Sequence, residues 1–261
     1  MLKQVAHVAV GGYYDNQKLR TSSMNRVRDI VRKKNEGIPF DKVEEKKVKR
    51  YDKKYKDANL PKLIEEMKTS GKFTDKEYQY LSSVLAVAKK TGDIEQGYSK
   101  ILEDFVVGEP IWEKYLSKVH GIGPVLASGL VALIDISLAK HVSSLWKFSG
   151  YHVVDGHSVK RKRGEKFDYN PHMRVLGWKI SDSFIKQRTM PYREIYDDTK
   201  KVEIERLKKS DGDKKGWKLH ADLRARRKMV KRFLQDLWVV WRKIEGLPVT
   251  DPYSGRFHKG E

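Results

Sequence analysis

The chain contains no cysteine. Disulfides, thiolate-held metals and cysteine nucleophiles are excluded together. It also lacks any apolar run near the ~20 residues that a membrane-crossing helix needs. The segment Met1 to Val10 is too short and too weakly charged for a secretory leader. These absences lead us to expect a cytoplasmic protein with no membrane partner. Internal repeats and low-complexity segments are missing too. Few stretches alternate with a period of two, so strands should be few and helices many.

Acidic charge is in short supply. Against 55 Lys and Arg stand 35 Asp and Glu, giving a formal net charge of +20. A surplus of this size favours a polyanionic partner, because neutralised phosphates release condensed counterions. The competing explanation is a charged surface that serves solubility. The excess is not confined to one tail: residues 1–100 hold 23 basic and 14 acidic side chains, and residues 101–261 hold 32 and 21.

Hydrophobic residues at 39% and aromatics at 10% are enough for a real core. The expected fold class is mainly α: a multi-helix protein with a central helix-hairpin-helix element and a basic loop or short β-hairpin. Four regions are expected. They are a helical N-terminal region 1–108, a helix-hairpin-helix domain 109–190, C-terminal basic helices 191–246 and a flexible tail 247–261. Within the first, an apolar segment ends at Gly11-Gly12 and a helix covers Thr21 to Lys34. Asp41 to Lys56 is so charged that it suits an exposed helix or a solvated linker. Thr74 with Glu77 three residues on forms a capping box for the next helix. Pro110 opens a helix to about Lys118, and Asn170-Pro171 another to about Arg188. Further helices are expected at 192–209 and 217–244, with a mobile loop at Lys209 to Gly216. Leu223, Val230, Phe233, Leu237, Trp241 and Ile244 mark the buried stripe of the last helix.

The most informative segment is Val119-His120-Gly121-Ile122-Gly123-Pro124, followed by the apolar run Val125 to Ile134. Glycines there permit backbone angles closed to other residues and let a phosphate approach the main chain. Ile122 between them should point inward and pin the turn. Pro124 suits the first turn of the following helix, whose free amides form an anion site. Ala127, Ser128 and Gly129 allow close helix packing. His120, Gly121, Ile122 and Gly123 are therefore candidate nucleic-acid contacts, of a kind that reads backbone and not bases. The alternative is a tight structural turn. A base-excision glycosylase would need a lysine after this hairpin and a later aspartate. Val125 stands at the first position, and the stretch near Ser143 has no aspartate.

From Val119 to about Arg188 the chain resembles the C-terminal domain of IS110/IS116-type transposases. The resemblance runs through His120 to Pro124, Asp135-Ile136 and Leu145-Trp146-Lys147-Phe148-Ser149-Gly150-Tyr151. It continues through Ser158-Val159-Lys160-Arg161-Lys162-Arg163-Gly164 and Asn170-Pro171-His172-Met173-Arg174. It implies DNA as partner, and Ser158 as the position of the serine that attacks DNA during strand exchange. That family also carries an N-terminal RNase H-like domain with four metal-holding acidic residues. Residues 1–110 show no run of strands with acidic ends.

Three basic clusters accompany the hairpin. One is Lys160, Arg161, Lys162 and Arg163, with Arg174 shortly after. A second is Arg224, Arg226, Arg227, Lys228, Lys231 and Arg232 on the last helix. The third is Arg26, Arg28, Arg32, Lys33 and Lys34. Each is either a phosphate contact or a solvated helix face. Trp112, Trp146, Trp178, Trp238 and Trp241 fall on apolar stripes and are expected in the core. Tyr151, His152, Phe167 and Tyr169 flank the basic loop, where stacking on bases is conceivable. His152, His157, His172, Asp155 and Asp168 share a neighbourhood but match no familiar metal spacing. No metal or cofactor is expected, Mg²⁺ being needed only by a strand-cutting enzyme. The expected function is sequence-independent DNA binding, chiefly of double strands. The alternatives are a divergent transposase or recombinase, and an RNA-binding protein.

Overall fold

The computed structural model describes residues 1–39, 53–154, 156–159, 164, 166, 168–211 and 216–250. The protein is mainly α-helical. The helices are α1 Leu2–Glu36, α2 Leu60–Thr69, α3 Asp75–Val106, α4 Pro110–Lys114, α5 Pro124–Leu133, α6 Val142–Phe148, α7 Pro171–Gln187, α8 Tyr192–Asp211 and α9 Trp217–Ile244. Two short strands, β1 Val153–Val154 and β2 His157–Ser158, pair antiparallel. No helix among the described residues is long and apolar enough to cross a membrane.

The chain divides into two compact units. One is Ala9–Lys100; the other joins Met1–Val8 to Ile101–Glu261. In the first, Val27 and Val31 of α1, Leu60, Ile64 and Met67 of α2, and Leu81 and Ala88 of α3 form the core with Phe73. Leu60-Pro61 opens α2, and Gly71 follows its end with φ of +73°. The capping box forms: the Glu77 amide donates to Thr74 Oγ1 at 3.2 Å and the Thr74 amide to Glu77 Oε2 at 2.9 Å.

One boundary differs from the sequence reading. Gly11-Gly12 does not break the chain; α1 runs through it. A Cβ at Gly12 would lie 2.7 Å from Tyr98 Cε1. The glycine makes room for a ring in a continuous helix, so no turn is required.

In the second unit α8 and α9 pack along each other, and α6 and α7 lie against α9. Phe184, Tyr192 and Phe233 meet at its centre, with ring centroids 4.8 to 5.6 Å apart. Trp238 is fully buried and donates its indole N–H to the Ala139 carbonyl at 2.7 Å. Helix α5 lies against α7 through Gly129, where a Cβ would meet Leu176 Cδ2 at 3.0 Å. Ser128 beside it is buried and donates to the Leu102 carbonyl at 2.6 Å.

Several smaller expectations are corrected. The helix from Pro110 ends at Lys114, and a 3₁₀ turn Leu116–Lys118 follows. Helix α8 extends past Lys209 to Asp211, and residues 212–215 lie outside the described residues. Leu223 is 42% exposed, because α9 buries the small Ala221 and Ala225 at this level instead. Trp178 is 46% exposed and not core. The segments 40–52 and 251–261, with their linker and tail readings, lie outside the described residues.

Candidate nucleic-acid interface

The hairpin begins where the 3₁₀ turn runs out at Lys118. The Ile122 amide donates to the Val119 carbonyl at 3.0 Å and closes the turn. Ile122 is 5% exposed and anchors it in the core of the second unit. Gly121 has φ of +87°, a region that L side chains avoid. Gly123 does not: at φ −89° and ψ 175° it is an ordinary extended N-cap. Pro124 takes the first position of α5.

The turn is held by two hydroxyls. Ser183 Oγ donates to the Gly121 carbonyl at 2.6 Å, and Thr189 Oγ1 donates to the His120 carbonyl at 2.8 Å. Ser183 lies on α7 and Thr189 just past its end, after the left-handed Arg188. The carbonyls are thus bound to protein. The amides of Gly121, Gly123, Val125 and Leu126 have no acceptor among the described residues. His120 and Gly123 are exposed. The hairpin therefore has four amides without acceptors, while the carbonyls of His120 and Gly121 are occupied, which suits an anion.

Lys118 precedes the turn by two residues, and Arg188 adjoins the Thr189 that bonds to it. Lys114, Lys118 and Arg188 are exposed. None of the three has a carboxylate partner among the described residues. Nothing in the sequence singles them out from the other cations. Nothing in the local sequence marks Ser183 and Thr189 as partners of a turn more than sixty residues earlier.

The other named residues fall in different settings. Lys160, Arg161, Lys162 and Arg163 lie outside the described residues. Arg174 is committed to structure: its guanidinium donates to the Val159 carbonyl at 2.8 Å and lies 5.0 Å from the Tyr169 ring centre. Arg224 pairs with Glu203 at 2.8 Å. Arg226 donates to Asp222 at 2.8 Å, and Arg232 to Asp236 at 2.9 Å. Arg227 and Lys228 have no carboxylate partner among the described residues. Lys231 Nζ sits 3.9 Å from the Trp146 ring centre. Burial, and then the charge of Arg227, push its ammonium pKa down. In the early cluster Arg28 pairs with Asp57, Arg32 and Lys33 with Asp29, and Lys34 with Glu77.

Ser158 is exposed on β2, opposite Val153. His152 Nε2 lies 2.8 Å from Asp168 Oδ2, and His172 meets the His7 ring edge-on at 5.1 Å. No group of three or more His, Asp or Glu side chains suited to a metal occurs among the described residues; Asp155 lies outside them. Comparison of the chain with protein-family models, with curated proteins and with solved structures gave no match.

Proposed function

We propose that this protein binds DNA by gripping its phosphate backbone, with the turn His120 to Pro124 as the anchor. One observation carries the reading. The His120 and Gly121 carbonyls are bound by Thr189 and Ser183, while four amides around Gly123 have no acceptor among the described residues. A phosphate supplies the acceptors they lack, and Lys118 and Arg188 supply charge beside it. Arg227 and Lys228 on α9 are further cations with no carboxylate partner among the described residues. The resemblance of residues 119–188 to a transposase DNA-binding domain agrees with this reading on its binding side.

Backbone contacts carry little sequence information. Two labelled duplexes of equal length and unrelated sequence should therefore bind with similar affinity in fluorescence anisotropy. Both affinities should fall steeply between low and physiological salt. No binding at low salt, or binding that ignores salt, removes the proposal. Duplex RNA competing better than duplex DNA would shift the partner to RNA.

A further inference from the structure

Helix α3 leaves a regular apolar row uncovered. Tyr80 is 62% exposed, Val87 56%, Ile94 51% and Ile101 50%, with Val84 at 40% between the first two. Tyr80, Val87, Ile94 and Ile101 stand seven residues apart in succession. The residue after each of these four is buried: Leu81, Ala88, Glu95 and Leu102. Leu81 and Ala88 pack in the core of the first unit, and Glu95 pairs with Arg20 of α1 at 2.8 Å. One side of α3 is thus satisfied within the chain, and the row beside it is not.

Period, charge and area together identify what covers the row. A straight α-helix turns once in about 3.6 residues, so a strict seven-residue row drifts by about 20° per heptad. Only a helix wound about another helix keeps such a row facing its partner, here over about 30 Å. A small ligand or an extended peptide has no use for that regularity. Helix α3 holds six acidic and four basic side chains, in a chain of net charge +20. A net-acidic helix repels a phosphate backbone, so nucleic acid is not its cover. The five exposed side chains leave roughly 500 Å² open per copy, so two copies meeting along the row bury about 1000 Å², where specific interfaces begin. On the open flank Ser83 and Gly97 are short and exposed, and a Cβ at Gly97 would meet nothing within 4 Å. A partner helix can therefore come close. A second copy brings an identical row, which a two-fold axis makes self-complementary.

We propose that the row from Tyr80 to Ile101 on α3 is a self-association seam that pairs this chain with a second copy. The seam shares no residue with the hairpin, so it stands or falls apart from the DNA-binding reading.

The test is sedimentation of the full chain, treated with nuclease and held in high salt so that nucleic acid cannot bridge two copies. At micromolar concentration it should sediment with twice the mass of one chain. Val87→Glu combined with Ile94→Glu sets carboxylates into the seam. It should weaken association about a hundredfold or more, because the pair would have to bury those charges. Helical content by circular dichroism should not change, since both side chains are exposed in the single chain. Val87→Leu combined with Ile94→Leu keeps the row apolar and should keep the dimer. Val175→Glu, at an exposed valine of α7, is the control and should keep it too. If the double glutamate variant loses its helices, Ile94→Ser repeats the test, with a loss of about tenfold expected. A single-chain mass up to the highest soluble concentration would overturn the second copy as occupant. A dimer indifferent to both seam variants, or one lost equally in Val175→Glu, would overturn the seam.

Discussion

A methyl group added at Gly121 meets three obstacles: a φ of +87°, Thr189 Oγ1 at 3.0 Å and Ser183 Oγ at 3.1 Å. The two hydroxyls cannot retreat without releasing the carbonyls they hold. Gly121→Ala should lose about 1–3 kcal/mol, from left-handed strain and a weakened hydroxyl pair, measurable by urea denaturation. At Gly123 the same methyl meets nothing within 4 Å, and the backbone is already in a conformation that alanine adopts. Gly123→Ala should therefore keep its stability and lose DNA affinity severalfold, because the methyl projects where a phosphate would approach. Unchanged affinity in a folded Gly123→Ala protein would argue for a purely structural turn.

Asp222 is a second residue with a measurable signature. Burial opposes its charge, but bonds from Lys200, Tyr196 and Arg226 outweigh that and hold the carboxyl at about 2. An unfolded aspartate titrates near about 3.9. The folded form is the stronger acid, so this contribution is full above that value and is lost as pH falls toward about 2. Asp222→Asn should cost about 2 kcal/mol at neutral pH. It should also flatten the acid limb of a stability–pH curve between those two values. A limb as steep as that of the natural protein would mean that other carboxylates control acid unfolding.

At the scale of elements, punctuation was readable and neighbours were not. Pro110, Pro124 and Asn170-Pro171 announce their helices, and the Asn170 side chain accepts from the Met173 amide at 3.0 Å as an N-cap should. The Thr74–Glu77 box was legible because both partners lie within one turn. Gly11-Gly12 was misread because a glycine that stops a helix and one that admits a ring look alike until the ring is placed. Trp178 was misread for a related reason. Its stripe is apolar, but α9 covers it only with Arg226. The hairpin itself is visible in the sequence, whereas the hydroxyls that orient it come from α7 and from just past its end, far along the chain. Gly129 belongs to the same lesson. Its small size is plain in the sequence, and the structure supplies the reason in Leu176, 2% exposed and 3.0 Å from where a Cβ would sit. Gly129→Ala should destabilise by about 1–3 kcal/mol through overpacking of α5 on α7, again read by urea denaturation. A neutral substitution would show that α7 yields at this contact.

For the whole molecule, the net charge of +20 overstates how much charge would be available to the proposed DNA partner. Arg28, Arg32, Lys33 and Lys34 are already paired with carboxylates, as are Arg224, Arg226 and Arg232. An arginine that must abandon Glu203 to reach a phosphate exchanges one ion pair for another and gains little. An exposed cation such as Arg188 beside the hairpin has no such cost. The salt dependence of binding separates the two kinds, because its slope counts phosphates neutralised, about −0.9 per contact. Arg188→Ala should reduce that slope by about one contact and weaken binding to unrelated sequences alike. Arg224→Ala should leave the slope unchanged, since Glu203 holds that guanidinium at 2.8 Å. Anisotropy titrations over a series of salt concentrations give both slopes. Equal slopes for the two variants would mean that binding draws on the diffuse charge of the whole surface, with no dedicated contact at the hairpin.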